Sequence, residues 1–293
     1  MGENETLFDE EFMKKIAGLK VMIRKKSLLP GQGRRKSSQK GISAEFADFR
    51  EYLPGDDIRK IDWNVYARLD KPYIRRYTEE RESAVNIFLD LSGSMGFWGK
   101  DVLAKRLAGA ISVVTLAGQD RVALHIIAGE KVTSLRLRNS SQGIQRVLSL
   151  LTQTETGGRS DLHGAISHMP HMLPGLCVII SDFMEESFLQ QGDLLCRQLA
   201  LRGQEVVLLQ VLAKEELSVE ETGTYEMVDA EGAEEPVLIS LDERTVQGYD
   251  RELKVFLKEV ENTAKKNNAV CYRCSTDEGI DEILLGKMRG IWA

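Results

Sequence analysis

Apolar and polar positions fall in alternating blocks along this chain, and from residue 85 onward the blocks repeat a strand-then-helix order. Residues 85–89 form a β-favouring, largely apolar run that gives way to Asp90, Ser92 and Ser94, oxygen-bearing residues spaced two apart with glycines between and after them. Residues 100–116 place Leu103, Leu107, Ala110, Ile111 and Val114 on one helical face. The pattern then predicts strands over 121–128 and 131–137 joined by a tight turn at Gly129 and Glu130, and a helix over 141–151. A third helix is expected to begin near Ser160 or Asp161. A second buried strand spans 176–181 and ends in Asp182. A helix over 187–201 closes at Gly203, and a continuous apolar strand follows over 205–212. A long helix over 244–267, a last strand over 269–275 and a closing helix over 280–290 complete the series. Strands apolar throughout suit a parallel sheet covered on both faces. The fold class is therefore α/β, an open, mostly parallel, doubly wound sheet with helices on both faces and an N-terminal helical and irregular extension.

That extension, residues 1–84, is read as separate from an α/β domain over 85–293. Within it, Phe8, Phe12, Ile16, Leu19 and Ile23 recur at helical spacing. Residues 24–40 then carry seven Lys or Arg and no acid, either a contact for an acidic partner or a solvated loop. Residues 45–82 alternate charged and aromatic side chains too closely for an ordinary core face. Pro54 and Gly55 make a turn, Asp56 or Asp57 can cap the backbone after it, and Arg59, Arg68, Arg75 and Arg76 are available to nearby carboxylates. This reads chiefly as an internal cluster of aromatic residues and salt bridges. Residues 214–235 hold nine acids against one lysine and are expected to form an edge hairpin from 225–228 and 236–239.

Composition narrows the function. With 293 residues there is material for a large core, and 42% hydrophobic and 29% charged residues describe a globular protein. The formal charge of −6 gives no global attraction for nucleic acid. No apolar run approaches the roughly 18–20 residues of a membrane span, and the acidic start lacks the order of a signal peptide, so a cytoplasmic location is expected. Cys177, Cys196, Cys271 and Cys274 fit that compartment as reduced thiols; the Cys271/Cys274 spacing has no second pair to complete a zinc site. His163, His168 and His171 surround Pro170, which spoils a shared helical face.

The candidate chemistry lies at strand ends, where open parallel sheets bind ligands. Asp90, Ser92 and Ser94 are hard oxygen donors of the kind Mg²⁺ prefers, or they simply cap the next helix. Other strand ends add Gly157-Gly158-Arg159-Ser160 and Ser181-Asp182. This set resembles the metal-ion-dependent adhesion site of von Willebrand factor type A domains. The resemblance implies that Ser92 and Ser94 ligate a metal directly, that Ser160 takes the place of the family's threonine, and that Asp90 and Asp182 hold metal-bound waters. Two departures are the serine itself and Arg159 inserted before it. Residues 45–82, with Arg50-Glu51-Tyr52, Pro54-Gly55-Asp56-Asp57, Ile61-Asp62-Trp63, Ala67-Arg68 and Glu79-Glu80-Arg81-Glu82, are similar to the bacterial family named domain of unknown function 58. Its members couple this signature to a von Willebrand type A-like domain and often occur beside MoxR-type AAA ATPases.

That resemblance implies a metal-dependent protein-protein interaction module, an adaptor or assembly factor that binds Mg²⁺ (or Mn²⁺ or Ca²⁺) and a partner presenting an acidic residue, a MoxR-type AAA ATPase foremost. Two alternatives stand beside it, a metal-free scaffold and an Mg²⁺-dependent phosphohydrolase. The phosphohydrolase needs Asp-x-Asp, and position 92 is serine. A phosphate-binding loop at Gly99-Lys100 fails because Ser94 and Asp101 stand at its glycine and hydroxyl positions. No catalytic activity is expected.

Overall fold

The computed structural model describes residues 7–27, 44–79, 84–118, 120–138, 141–169, 172–218, 223–227 and 237–291. Much of the basic 24–40 stretch, Glu80 to Glu82 and most of the acidic 214–235 stretch lie outside these residues. So do the side chains of Arg75 and Arg76. The chain forms two compact units, residues 1–34 with 83–293, and residues 35–82. This division differs from the expected boundary at 84/85. The first helix, α1 (Glu10–Ser27), buries Phe12 and Ile16 in the core of the larger unit, so its first half packs with the α/β domain.

In the larger unit the strands are β3 (Ala84–Asp90), β4 (Arg121–Ala128), β5 (Lys131–Leu137), β6 (Gly175–Ser181), β7 (Gln204–Leu212) and β10 (Val270–Ser275), in the order β10-β7-β6-β3-β4-β5. All neighbours are parallel except the β4/β5 edge hairpin, whose turn holds Gly129 at φ +58°. Successive side chains along each strand feed opposite layers, as a pleated strand requires. On one face Val85, Ile87, Leu89, Val178, Ile180, Leu209 and Val211 meet α1, α3 (Lys100–Ala117) and α4 (Ser141–Gln153). On the other, Phe88, Cys177, Ile179, Val206 and Leu208 meet α5 (Leu162–Ser167), α6 (Glu186–Leu201) and α8 (Glu243–Lys266). Two buried cores on one sheet explain why these strands lack hydrophobic-polar alternation.

Gly175 sits at φ +154°, and a Cβ there would lie 2.1 Å from the Ala84 carbonyl oxygen, so the start of β6 approaches β3 as only glycine permits. Beyond β7, α7 (Lys214–Leu217) is a single turn, and β8 (Gly223–Met227) pairs antiparallel with β9 (Val237–Leu241), the expected edge hairpin as a separate two-stranded sheet. The closing segment differs from expectation. It is a π-helical turn, Glu282–Gly286, followed by a 3-10 turn, Lys287–Gly290, with Ile283, Leu284 and Met288 buried. Among the described residues no helix is long and apolar enough to cross a membrane.

The smaller unit is an antiparallel pair, β1 (Ala44–Glu51) and β2 (Tyr73–Glu79), with a register shift between Phe46 and Asp48. Its connection carries a 3-10 turn, Ile58–Lys60, and α2 (Trp63–Leu69). Asp57 caps the backbone after the turn, accepting from the Arg59 amide at 3.1 Å, while Asp56 closes the turn backwards by accepting from the Leu53 amide at 3.0 Å. Asp62 caps α2 through Asn64 and Val65. Arg50 pairs with Asp56 at 2.7 Å, and Trp63 meets Tyr66 edge-on at 6.0 Å, with both rings exposed. The alternating charges and aromatics thus lie on an antiparallel strand pair and the short helix of its connection.

Candidate functional site

The sheet order reverses at β3: the chain runs outward through β4 and β5 on one side and through β6, β7 and β10 on the other. Crevices for ligands open at such switch points, at the carboxyl ends of the strands. Asp90 ends β3, Ser181 ends β6, and Asp182 follows it.

The oxygen-rich loop after β3 is ordered by its own side chains. Asp90 Oδ1 accepts from the Ser92 amide at 2.9 Å, and the Ser92 and Ser94 hydroxyls hydrogen-bond to each other at 3.1 Å. The Ser181 hydroxyl donates to Asp90 Oδ2 at 2.7 Å, which joins the two strand ends. Two backbone bonds bring in the third segment: Gly157 N–H donates to Leu91 O at 2.9 Å and Gly93 N–H to Gly158 O at 2.9 Å. Gly158 adopts φ +68°, and a Cβ on it would fall 2.9 Å from the Gly129 Cα, so this loop threads tightly between the β3 loop and the β4/β5 turn. Ser160 follows, 5% exposed; its Oγ is buried and forms no well-formed hydrogen bond, though its hydroxyl stands close enough to Asp90 to favour that carboxylate.

The electrostatics set the two carboxylates apart. Burial pushes the Asp90 carboxyl above its ordinary range and the Asp182 charge adds to this, while the Ser181 hydroxyl, the Ser92 amide and the Ser160 hydroxyl oppose it. Asp182 has a cation of its own. Lys100 Nζ, in the first turn of α3, donates to Asp182 Oδ2 at 2.9 Å and to Glu216 Oε1, and Lys100 is 1% exposed. Burial alone lowers the Lys100 ammonium, but the two carboxylates more than reverse it. The other Asp182 oxygen accepts from the Met184 amide at 3.1 Å, and Ser181 Oγ accepts from the Phe183 amide at 2.9 Å. These two short loops hold Phe183 at φ +58°, fully buried against Phe188 at 4.5 Å.

Asp90, Ser92, Ser94, Ser160 and Asp182 therefore stand on three loops at one end of the sheet. Among the described residues no group of three or more His, Cys, Asp or Glu is arranged to hold a metal ion, so a cation here depends on serine hydroxyls beside two carboxylates. Lys100, Glu216 and Glu185 were not selected, and Ser181 was named with Asp182 but given no role. Ser181 preceded a selected residue, and Lys100 carried a readable signal as a lysine heading the stripe that continues through Leu103 and Leu107. Glu185 precedes α6; its Oε2 accepts from the Leu162 amide at 3.2 Å, and its Oε1 is buried with no partner. Arg159 is exposed, and its charge acts on Glu185, whose carboxyl burial raises to about 7. The four cysteines are free. Burial raises Cys196 and Cys271 to about 11 and Cys274 to about 12, and pushes Cys177 higher still, so all are poor nucleophiles.

A six-stranded, mostly parallel sheet with helices on both faces and an aspartate-serine loop at its switch point defines a von Willebrand type A-like α/β protein. More particularly, the chain belongs to the family described as Protein of unknown function DUF58, whose pattern matches residues 48–256. It is 31% identical over 200 residues to Uncharacterized protein Rv1480 of Mycobacterium tuberculosis, covering 65% of this chain. The chain spans 62% of the length of the curated relatives it matches. Among solved structures it is similar to the conserved hypothetical protein BatB from Bacteroides thetaiotaomicron, with 17% identity and a TM-score of 0.42 over 71% of this chain and 98% of that one. An aerotolerance-related membrane protein from Bacteroides fragilis matches at 16% identity and a TM-score of 0.37, over 71% and 99% of the two chains.

Proposed function

We propose that this protein is a cytoplasmic docking module that binds a divalent cation, Mg²⁺ or Mn²⁺, at the carboxyl ends of β3 and β6 and captures a carboxylate of a partner protein, a MoxR-type AAA ATPase in the first instance. The observation that carries this reading is the buried Ser160 Oγ, which faces Asp90 without a well-formed hydrogen bond, on a loop bonded to the one that carries Ser92 and Ser94. A buried hydroxyl left unpaired is unfavourable, and a hard cation satisfies it. Ser92, Ser94 and Ser160 would hold the ion through their hydroxyls, and Asp90 and Asp182 through water. The bound ion would supply positive charge to a partner carboxylate. Phe97 and Trp98, both exposed just beyond Ser94, offer apolar area beside it. Binding is favoured over catalysis because no second acid stands at position 92 and the thiols are held protonated.

The metal-free alternative has one observation in its favour, the Lys100 ammonium already on Asp182. Thermal melting separates the two. Mg²⁺ or Mn²⁺ should raise the midpoint of the parent protein, and Asp90→Ala with Ser92→Ala should abolish the rise; identical melting of the parent with metal and with EDTA would refute metal binding. Capture of a MoxR-type ATPase by the parent should weaken in EDTA. Capture indifferent to EDTA and to Asp90→Ala would place the interface elsewhere.

A further inference from the structure

Every carboxylate oxygen of the strand-end site already has a donor from the chain. Asp90 Oδ1 accepts from the Ser92 amide and its Oδ2 from the Ser181 hydroxyl, while Asp182 Oδ1 accepts from the Met184 amide and its Oδ2 from the Lys100 ammonium. Among these donors Lys100 alone carries a charge. Nothing local explains a lysine there. It stands in the first turn of α3, where the helix dipole disfavours a cation, behind an N-cap, Gly99, that makes no side-chain hydrogen bond. It is 1% exposed, and burial opposes its charge. Asp182 at 2.9 Å and Glu216 hold it in place, and Glu216 is fixed in turn, its other oxygen accepting from the Ala213 amide at 2.8 Å. We propose that Lys100 is a positioning residue that decides which cation the site accepts: by occupying Asp182 Oδ2 it keeps that carboxylate out of direct coordination and favours Mg²⁺ over Ca²⁺.

An oxygen that accepts from an ammonium has part of its field cancelled, so it competes poorly for a second cation. Mg²⁺ keeps several of its waters and tolerates a carboxylate reached through one of them. Ca²⁺ collects about six to eight oxygens, carboxylates among them, and gains most from a freed Oδ2. The hydroxyls of Ser92, Ser94 and Ser160 are neutral, so the attraction of the site for an ion depends on what Lys100 leaves uncancelled at Asp90 and Asp182. A purely structural ion pair would act on stability alone. The two partners of Lys100 separate these roles, because Asp182 belongs to the site and Glu216 does not. The assignment rests on the metal-binding reading for the presence of an ion and adds to it a residue outside the five oxygen donors.

The test is calorimetric titration of the full chain with Mg²⁺ and with Ca²⁺, the thermal midpoint of each variant being recorded alongside. Lys100→Met should tighten Ca²⁺ at least about tenfold and Mg²⁺ no more than about threefold, and Ca²⁺ should restore part of the thermal stability that the substitution removes. Lys100→Met combined with Glu216→Gln leaves no unmatched charge at position 216 and still offers the Ala213 amide an acceptor, so it should show the same gain for Ca²⁺ even where the single variant fails to fold. Glu216→Gln alone should lower the midpoint yet leave the ratio of the two affinities within about twofold of the parent, since Lys100 stays on Asp182. Equal gains for the two ions, or the same change of ratio in Glu216→Gln alone, would overturn the assignment. Mg²⁺ binding by the parent with affinities unchanged or weaker in both Lys100 variants would sink it and leave the metal-docking reading standing. Ca²⁺ binding that emerges in the Lys100 variants while the parent binds neither ion would uphold the hold of Lys100 on Asp182 and sink the docking reading. No binding by any of these proteins would overturn both.

Discussion

Lys100 is a charged residue placed where its helix would otherwise present leucine, and its ammonium is matched by Asp182 and Glu216, which lie 82 and 116 positions away. Removing one partner of a buried ionic group leaves the others uncompensated. Lys100→Met is therefore expected to lower stability by about 3–5 kcal/mol in urea unfolding, although methionine fills a similar volume. Glu185 makes a pH-dependent contribution of definite sign. Its carboxyl is raised from 4.5 to about 7 in the folded chain. Below pH 4.5 both states hold the proton. Between 4.5 and 7 the unfolded chain releases a proton that the folded one keeps, so stability falls as pH rises, and above 7 the loss is constant. Glu185→Gln removes this dependence. The variant's stability relative to the parent should grow from pH 4.5 to 7 and level off at about 1–2 kcal/mol, after allowance for solvent screening. Asp90, Asp161 and Arg159 also act on this carboxyl, so the difference between the two titration curves is the quantity to read.

At the scale of elements, the site depends on loops that approach more closely than side chains allow. The Gly158 Cα lies against the Gly129 backbone, which cannot turn aside as a flexible side chain would. Gly158→Ala combines an unfavourable φ of +68° with that collision and is expected to cost about 1–3 kcal/mol in urea unfolding. It should also reduce any Mg²⁺-dependent rise in melting temperature, because Ser160 follows on the displaced loop. Strands of the main sheet were legible as apolar runs because both of their faces are covered. The β1/β2 pair was not, because its strands are separated by a turn and a helix and its alternation of charge and ring suggested a cluster. The closing segment was expected as a helix over 280–290, yet it packs Ile283, Leu284 and Met288 through a π turn and a 3-10 turn.

At the scale of the molecule, the N-terminal helix is part of the α/β core. Phe12 and Ile16 are 3% and 1% exposed, Arg106 donates to the Leu7 carbonyl at 2.9 Å, and the Phe8 ring lies where a Cβ on Gly109 would stand. Phe12→Ala is expected to destabilise the protein by about 3–5 kcal/mol in a single urea transition. A loss under about 0.5 kcal/mol, the size usual for an exposed position, would return α1 to a peripheral extension.

The hydrophobic pattern by itself determined the alternation of strands and helices, the doubly covered sheet and the oxygen-rich end of β3, because burial on two faces leaves a local signature that period and residue type reveal. Strand ends and glycine turns picked out the three oxygen-bearing segments, and the resemblance to a metal-ion-dependent adhesion site joined Asp90, Ser92, Ser94, Ser160 and Asp182 into a set. Tertiary structure alone decided their surroundings. The Ser181 bond to Asp90, the Lys100 cation on Asp182 and the unpaired oxygens around Glu185 join residues distant in the chain. Hydrogen bonds and ion pairs of that kind depend on distances set by packing, and no local pattern encodes them.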